Sequence, residues 1–375
     1  MHNQPEIIAL YLPQFYPFAE NDHWWGAGFT EWTNVARAKP LFRGHEQPRI
    51  PADLSFYDLR LSEVREQQAA LARKAGVTTF CYWHYWFGDG RRLLTRVFDE
   101  VLASGSPDFQ FCLGWANHSW YAKTWDRSAE DRLLIEQRYS GKADARAHFD
   151  YLLRAFKDKR YLKIDNRPFL FIFDPRTLPD NYITLFEQWA KEAGFSGIYL
   201  VANIRPFDNK EEYLAKGYSA VVINRITRYT KTEITLNRHR AKISRLKEIF
   251  PAIGHLRHLL KGFGHKPEVV DYTKLYSQLI TSEELSEQVI PQLVPQWDHT
   301  PRSGKYGTAW INATPENFYH HAKQTLDVVR KKRNKLVLLK SWNEWGEGNY
   351  MEPDSRFGQG FIDALRRAID ESNED

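Results

Sequence analysis

The chain has 375 residues, 42% hydrophobic and 15% aromatic, enough to fill a large core; it exceeds a typical single domain but suits a closed α/β barrel with insertions. Two cysteines, Cys81 and Cys112, both in apolar runs, exclude a disulfide scaffold, and the apolar run near the N-terminus is too short to span a bilayer. The net charge of +5 is unevenly spread: residues 225–266 hold eleven Lys or Arg against two acids, which leaves the remainder at −4.

In chain order, the first apolar run, 7–14, carries Tyr11 and Gln14 at its end. The stretch 16–61 is rich in Trp, Pro and Gly and is expected to form a lid or wall, with Trp24, Trp25, Glu31 and Trp32 as candidate sugar contacts. The spacing then predicts a helix over 62–75, capped by Ser62 and stopped at Gly76. Run 78–86 ends in His84, Tyr85 and Trp86 and precedes a helix over 92–104. Run 109–117 ends in Trp115 and Asn117; a second wall, 119–140, and a helix over 142–158 follow. Run 168–174 ends in Asp174 and leads to a helix over 181–193. Runs 197–203 and 220–224 end in Asn203 and Asn224, and the basic insert begins there. Run 289–297 ends in Trp297, next to Asp298. Thr314-Pro315 opens a helix over 314–332, with proline in its first turn. The last run, 336–345, precedes a closing helix over 357–371.

The runs are continuous rather than alternating, as in Phe169-Leu170-Phe171-Ile172-Phe173, which suits parallel strands buried on both faces. Eight strand–helix alternations predict an α/β fold of the (β/α)8 TIM-barrel type, with long βα loops and a basic helical insert after strand six. The expected organisation is one catalytic domain over 1–375, with the insertion spanning 225–285. An open doubly wound sheet is the alternative, weakened because no glycine-rich phosphate loop follows the first strand.

The segment Ser341-Trp342-Asn343-Glu344-Trp345-Gly346-Glu347-Gly348-Asn349 is the most informative. It places two carboxylates, Glu344 and Glu347, among indoles on a turning backbone at the end of the last strand. Chemistry on a glycosidic bond needs such a pair, one carboxyl to give a proton and one to take one or to stabilise positive charge. The same acids would suit a helix's first turn, but Trp, Asn and Gly do not favour a helix interior. His84 is either part of an aromatic sugar platform or a histidine satisfied within an aromatic wall. Asp174 and Asp298 either hold sugar hydroxyls or bind an arginine. No His, Cys and Asp spacing fits a metal, so neither metal nor cofactor is expected. The insert reads as a solvated helical arm, as a nucleic-acid site without any accompanying motif, or as a contact with an anionic membrane or lipid-linked diphosphate; nucleic acid is not expected as a partner.

Several stretches resemble one family. They are ALYLPQFYPFAENDHWWGAGFTEWTNVARAKPLFRGHEQPRIPADLSFYDLR, FCYWHYWFGDGRRLL, FCLGWANHSW, LVPQWDHTPR and SWNEWGEGNYMEPD. Together they resemble the WbsX family, glycosyltransferases of bacterial surface polysaccharide synthesis, related to glycoside hydrolase family 99. That hydrolase family is similar to a (β/α)8 barrel that cuts α-mannosidic bonds inside a chain with retention. Its catalytic glutamates lie in an Asn-Glu-Trp-x-Glu-Gly loop, matched here by Asn343, Glu344, Trp345, Glu347 and Gly348. The resemblance implies that Glu344 acts as base, helping a sugar 2-hydroxyl attack its own anomeric carbon, and that Glu347 protonates the leaving oxygen. Gly346 stands where that family usually has histidine.

The expected function is glycosidic-bond chemistry on a bacterial surface polysaccharide, lipopolysaccharide or precursor, by retaining hydrolysis or transglycosylation. Transfer from a nucleotide-sugar or lipid-linked donor in O-antigen or capsule biosynthesis is the alternative, and a non-catalytic carbohydrate-binding barrel the rival from another class. With no basic leader in view, the expected location is cytoplasmic, peripheral at the inner membrane if the insert meets lipid.

Overall fold

The computed structural model describes residues 4–122, 132–226 and 266–374. Eight strands form its centre: β1 (Glu6–Tyr11), β2 (Thr79–Trp86), β3 (Gln110–Trp115), β4 (Arg167–Ile172), β5 (Tyr199–Ile204), β6 (Ala220–Ile223), β7 (Gln292–Leu293) and β8 (Leu336–Leu339). They lie in the order β6-β5-β4-β3-β2-β1-β8-β7, and every neighbouring pair is parallel. The circle closes where Val221 bridges Val289 and the Ile290 N–H donates to the Val221 carbonyl at 2.8 Å. The chain is a (β/α)8 barrel.

The continuous apolar runs have the burial they predict: all eight residues of β2 are buried, as are all four of β8. Each fully buried Val, Leu, Ile or Phe contributes about 1.5–3 kcal/mol relative to exposure. Helices follow the strands, among them Ser62–Ala75, Lys142–Phe156, Asp180–Glu192, Pro315–Arg330 and Gly360–Glu374. Ser62 is the first helical residue rather than the cap; the cap position is Leu61, without a side-chain bond. The helix after β2 begins only at Thr95, because Arg92–Leu93 pair back on β2 as a short antiparallel strand. Thr314 caps its helix as expected, accepting from the Asn317 N–H.

The extra length sits in the βα loops. The long segment after β1 contains two short helices, Ala19–Trp25 and Glu31–Arg37. The segment after β3 contains a hairpin of Trp120–Ala122 with Arg132–Ile135. Of the predicted insertion, residues 227–265, which carry most of its basic side chains, lie outside the described residues. Residues 266–285 supply a strand, Glu268–Asp271, paired with Thr308–Ile311, and the helix Tyr272–Leu279. No described helix is long and apolar enough to cross a membrane.

Candidate active site

β8 does not run into a helix. After Ser341 the chain forms a small hairpin, Asn343–Glu344 against Asn349–Tyr350, around a single 3-10 turn, Trp345–Glu347. The Asn343 amide grips β1's end: its Oδ1 accepts from the Leu12 N–H at 2.7 Å and its Nδ2 donates to the Leu12 carbonyl at 3.0 Å. The Trp345 indole lies flat on Tyr350, 3.7 Å between ring centres, and donates from Nε1 to Glu352 at 2.7 Å. Gly348 closes the turn at φ 54°, where an added Cβ would stand 2.7 Å from Asp298 Cβ. These ties fix the backbone that carries Glu344 and Glu347.

Both carboxylates meet one guanidinium. Arg302 Nη1 donates to Glu347 Oε1 at 2.6 Å, and Nη2 donates to Glu344 Oε2 at 3.2 Å. A third acid joins them, since Glu31 Oε2 accepts from Arg302 Nε at 3.1 Å. Side-chain exposure rises from 5% at Glu31 through 11% at Glu344 and 17% at Glu347 to 24% at Arg302, so the cluster is sheltered yet open at one mouth. Burial, reinforced by the charge of Glu347, pushes Glu344 up to about 7, although Arg302 and Lys340 oppose the rise. Lys340 lies 5.0 Å above the Trp297 ring. The Trp297 Nε1–H is buried without a partner among the described residues.

The acids are held by a knot around Asp298. Its Oδ1 accepts from the Thr300 N–H at 3.0 Å and from the Thr300 hydroxyl at 2.6 Å, shaping the turn that presents Arg302. Its Oδ2 accepts from His45 Nε2 at 2.8 Å and Gln47 Nε2 at 2.7 Å, which ties down the long loop after β1. The Asp298 N–H donates to the Glu347 carbonyl at 2.7 Å. Burial works to raise this carboxyl, but the bonds from His45 and Thr300 and the Arg49 charge outweigh it and hold Asp298 at about 2. Glu31 is placed by the cap of its helix: Thr30 Oγ1 accepts from the Trp32 N–H, and Thr33 returns a bond to the Thr30 N–H.

Gly346 makes this arrangement possible. A Cβ there would overlap the Glu31 carboxylate and stand 2.9 Å from Arg302 Nε. Gly346→Ala is therefore expected to displace Glu31 from Arg302, cost about 1–3 kcal/mol in stability and reduce turnover more than the stability loss explains. Urea midpoints alongside initial rates check it, and a variant with wild-type values in both would show that the close approach is dispensable.

The structure brings only some of the sequence candidates together. Glu31, Glu344, Glu347 and Tyr85 converge: burial and then the charge of Glu344 raise the Tyr85 phenol. Tyr85 begins an aromatic wall, with Trp120 edge-on at 5.1 Å and Trp24 beyond it at 6.0 Å. Trp25 is exposed and packs on Phe29. Trp32 backs Trp345 at 5.5 Å. Gln14 contributes its carbonyl to the Glu31 N–H at 3.4 Å.

Other candidates are engaged elsewhere. Tyr11 is fully buried and donates to Gln68 at 2.6 Å. His84 and Trp86 face helix Lys142–Phe156: His84 Nε2 meets His148 Nε2 at 2.9 Å, and Trp86 Nε1 donates to Asp144 at 3.1 Å. Burial lowers His84 to about 3, so it is neutral there. Trp115 lies edge-on to His148 in the same outer layer. Asn117 clamps β3 to β4 through both atoms of Asp174's backbone amide and carbonyl, each at 2.8 Å. The Asp174 carboxylate is occupied by Arg176, and Asn203 donates to the Phe173 carbonyl at 3.0 Å.

Sequence reasoning missed Arg302 and Glu352. The buried Glu352 accepts from Tyr57, Gln68 and Trp345, and burial pushes it up to about 7 against those bonds. A separate cleft of about 400 Å3, bordered by Gln4, Val77 and Gln110, opens where strands begin, the end of such barrels associated with stability rather than chemistry.

A (β/α)8 barrel with an acid cluster at the C-terminal ends of its strands has the architecture of a carbohydrate-active enzyme. The "Glycosyltransferase WbsX" family model matches residues 7–365, so the chain belongs to the WbsX glycosyltransferase family. The protein WxcX of Xanthomonas campestris pv. campestris, strain B100, is 34% identical over 368 residues, covering 97% of this chain and 49% of that protein. Its counterpart in strain ATCC 33913 matches equally, also at 34% identity. The chain thus spans about half the length of the curated relatives it matches. Among solved structures, the GH99 endo-alpha-mannosidase from Bacteroides thetaiotaomicron has the same fold, with a TM-score of 0.54 and 12% identity over 98% of each chain. A glycoside hydrolase-like protein is similar, with a TM-score of 0.54 and 13% identity over 98% of this chain and 94% of that one.

Proposed function

We propose that this chain acts on glycosidic bonds of a bacterial surface polysaccharide or its precursor, with retention, using Glu344 and Glu347. The observation that carries the reading is the shared guanidinium: Arg302 bonds both glutamates, so the two carboxylates lie side by side beyond the C-terminal end of the last strand. In the first step Glu344 takes the proton of the sugar 2-hydroxyl as that oxygen bonds to the anomeric carbon. The bond to the leaving oxygen breaks, and that oxygen takes its proton from Glu347. In the second step an acceptor hydroxyl or water bonds to the anomeric carbon and gives its proton to Glu347, while the 2-oxygen recovers its own from Glu344. A base near 7 is well matched to neutral pH. In the free protein the Glu347 carboxylate is engaged by Arg302, so the acid role requires substrate to draw Arg302 away.

Incubation with candidate glycans, with and without nucleotide sugars, tests the reading. Expected is cleavage or transfer that Glu344→Gln and Glu347→Gln both abolish. Unchanged products from those variants would overturn the assignment to these glutamates, and a wild type that yields no product from any glycan would favour the carbohydrate-binding alternative.

A further inference from the structure

Arg302 also lines a second cleft, of about 450 Å3, walled by the end of helix Glu31–Arg37 and by the turn after β7. Among the described residues, all the charged ones lining it are basic: Arg37, Lys39, Arg302 and Lys305. Arg37 and Lys39 are exposed and form no ion pair with a described residue, and Lys305 stands 5.4 Å from the Tyr306 ring centre. The charge therefore changes sign across one residue. Arg302 touches three carboxylates, and the cleft it borders has, among the described residues, three further cations and no acid. A neutral glycan has no use for such a field. A substrate with its anomeric carbon at the glutamates and an anion directly attached to that carbon matches it, and guanidinium and ammonium groups are the usual phosphate partners.

The geometry points to this cleft as the subsite for the diphosphate of a glycosyl diphosphate, whose sugar faces Glu344 and Glu347. The assignment rests on the reading of those glutamates as the reacting pair. The diphosphate competes with Glu347 for Arg302, so the arrival of the donor frees that carboxylate to take the proton of the acceptor hydroxyl.

Calorimetry with inorganic pyrophosphate at low salt tests it on the whole chain. Wild type is expected to bind, and the R37Q/K39Q/K305Q variant, folded by circular dichroism, is expected to bind about tenfold more weakly. Equal affinities, or a wild type that does not bind, would overturn the subsite. Uridine diphosphate and farnesyl diphosphate, each competing with pyrophosphate, separate nucleotide-linked from lipid-linked donors; competition by either supports the assignment. If both fail while a hexuronic acid competes, the diphosphate assignment falls. Glu344→Gln keeps the two readings apart, because it is expected to bind pyrophosphate while losing activity on glycosidic bonds. Activity in that variant sinks the reading of the glutamates, whatever the cleft binds.

Discussion

Glu344→Gln is expected to lower kcat/KM about a thousandfold and to leave the barrel more stable than wild type at pH 8. The first effect follows from removing the proposed base. The second follows from its environment: burial and the Glu347 charge raise Glu344 from 4.5 to about 7, so ionising it works against the fold. For an acid raised on folding, the stability linked to its protonation is complete below about pH 4.5 and is lost as pH rises toward 7. At pH 8 wild type therefore carries a cost on the order of 2 kcal/mol that a neutral amide avoids. In its proposed role the same group is expected to set the acid limb of the rate profile, with its inflection near 7. Urea unfolding at pH 5 and pH 8, with initial rates, measures both effects. A variant that is active, or less stable than wild type at pH 8, would contradict the account of this residue.

Arg302→Met should have the largest effect on stability. The methionine fills part of the arginine's volume but leaves Glu31, Glu344 and Glu347 facing one another without the guanidinium that bonds all three. Stranding buried charge costs about 3–5 kcal/mol. The loss should be pH-dependent, because protonation relieves the repulsion: large at pH 8, and at least halved at pH 5, where Glu344 holds its proton. Equal losses at the two values would mean that Arg302 contributes packing rather than charge.

The barrel was legible because its strands are continuous apolar runs, and only strands covered on both faces can be so. The glutamate pair was legible because Trp, Gly and Asn around it argue against a helix, and the hairpin bears that out. Arg302 was not legible. Its partner Glu31 lies 271 residues away, and nothing local marks an arginine in a short turn as the centre of an acid cluster. His84, Tyr85 and Trp86 show a signal that could have been used. Side chains alternate along a strand, so Tyr85 cannot share a face with its two neighbours. Tyr85 meets the acid cluster, whereas His84 and Trp86 face the outer helix. Asp298 was noticed as an acid at a strand end, yet its role as the knot between three loops depends on His45 and Gln47, which only the folded long loop brings to it.

The division of labour between the two glutamates can be measured most directly with an aryl glycoside whose leaving group needs no protonation. Glu347→Gln should then turn over within about tenfold of wild type and lose its alkaline limb, although it is at least about a hundredfold impaired on unactivated glycosides. Glu344→Gln should fail on both. A Glu347 variant equally impaired on both substrates, or a Glu344 variant that turns over either one, would show that these carboxylates do not serve a single anomeric carbon in the roles assigned to them.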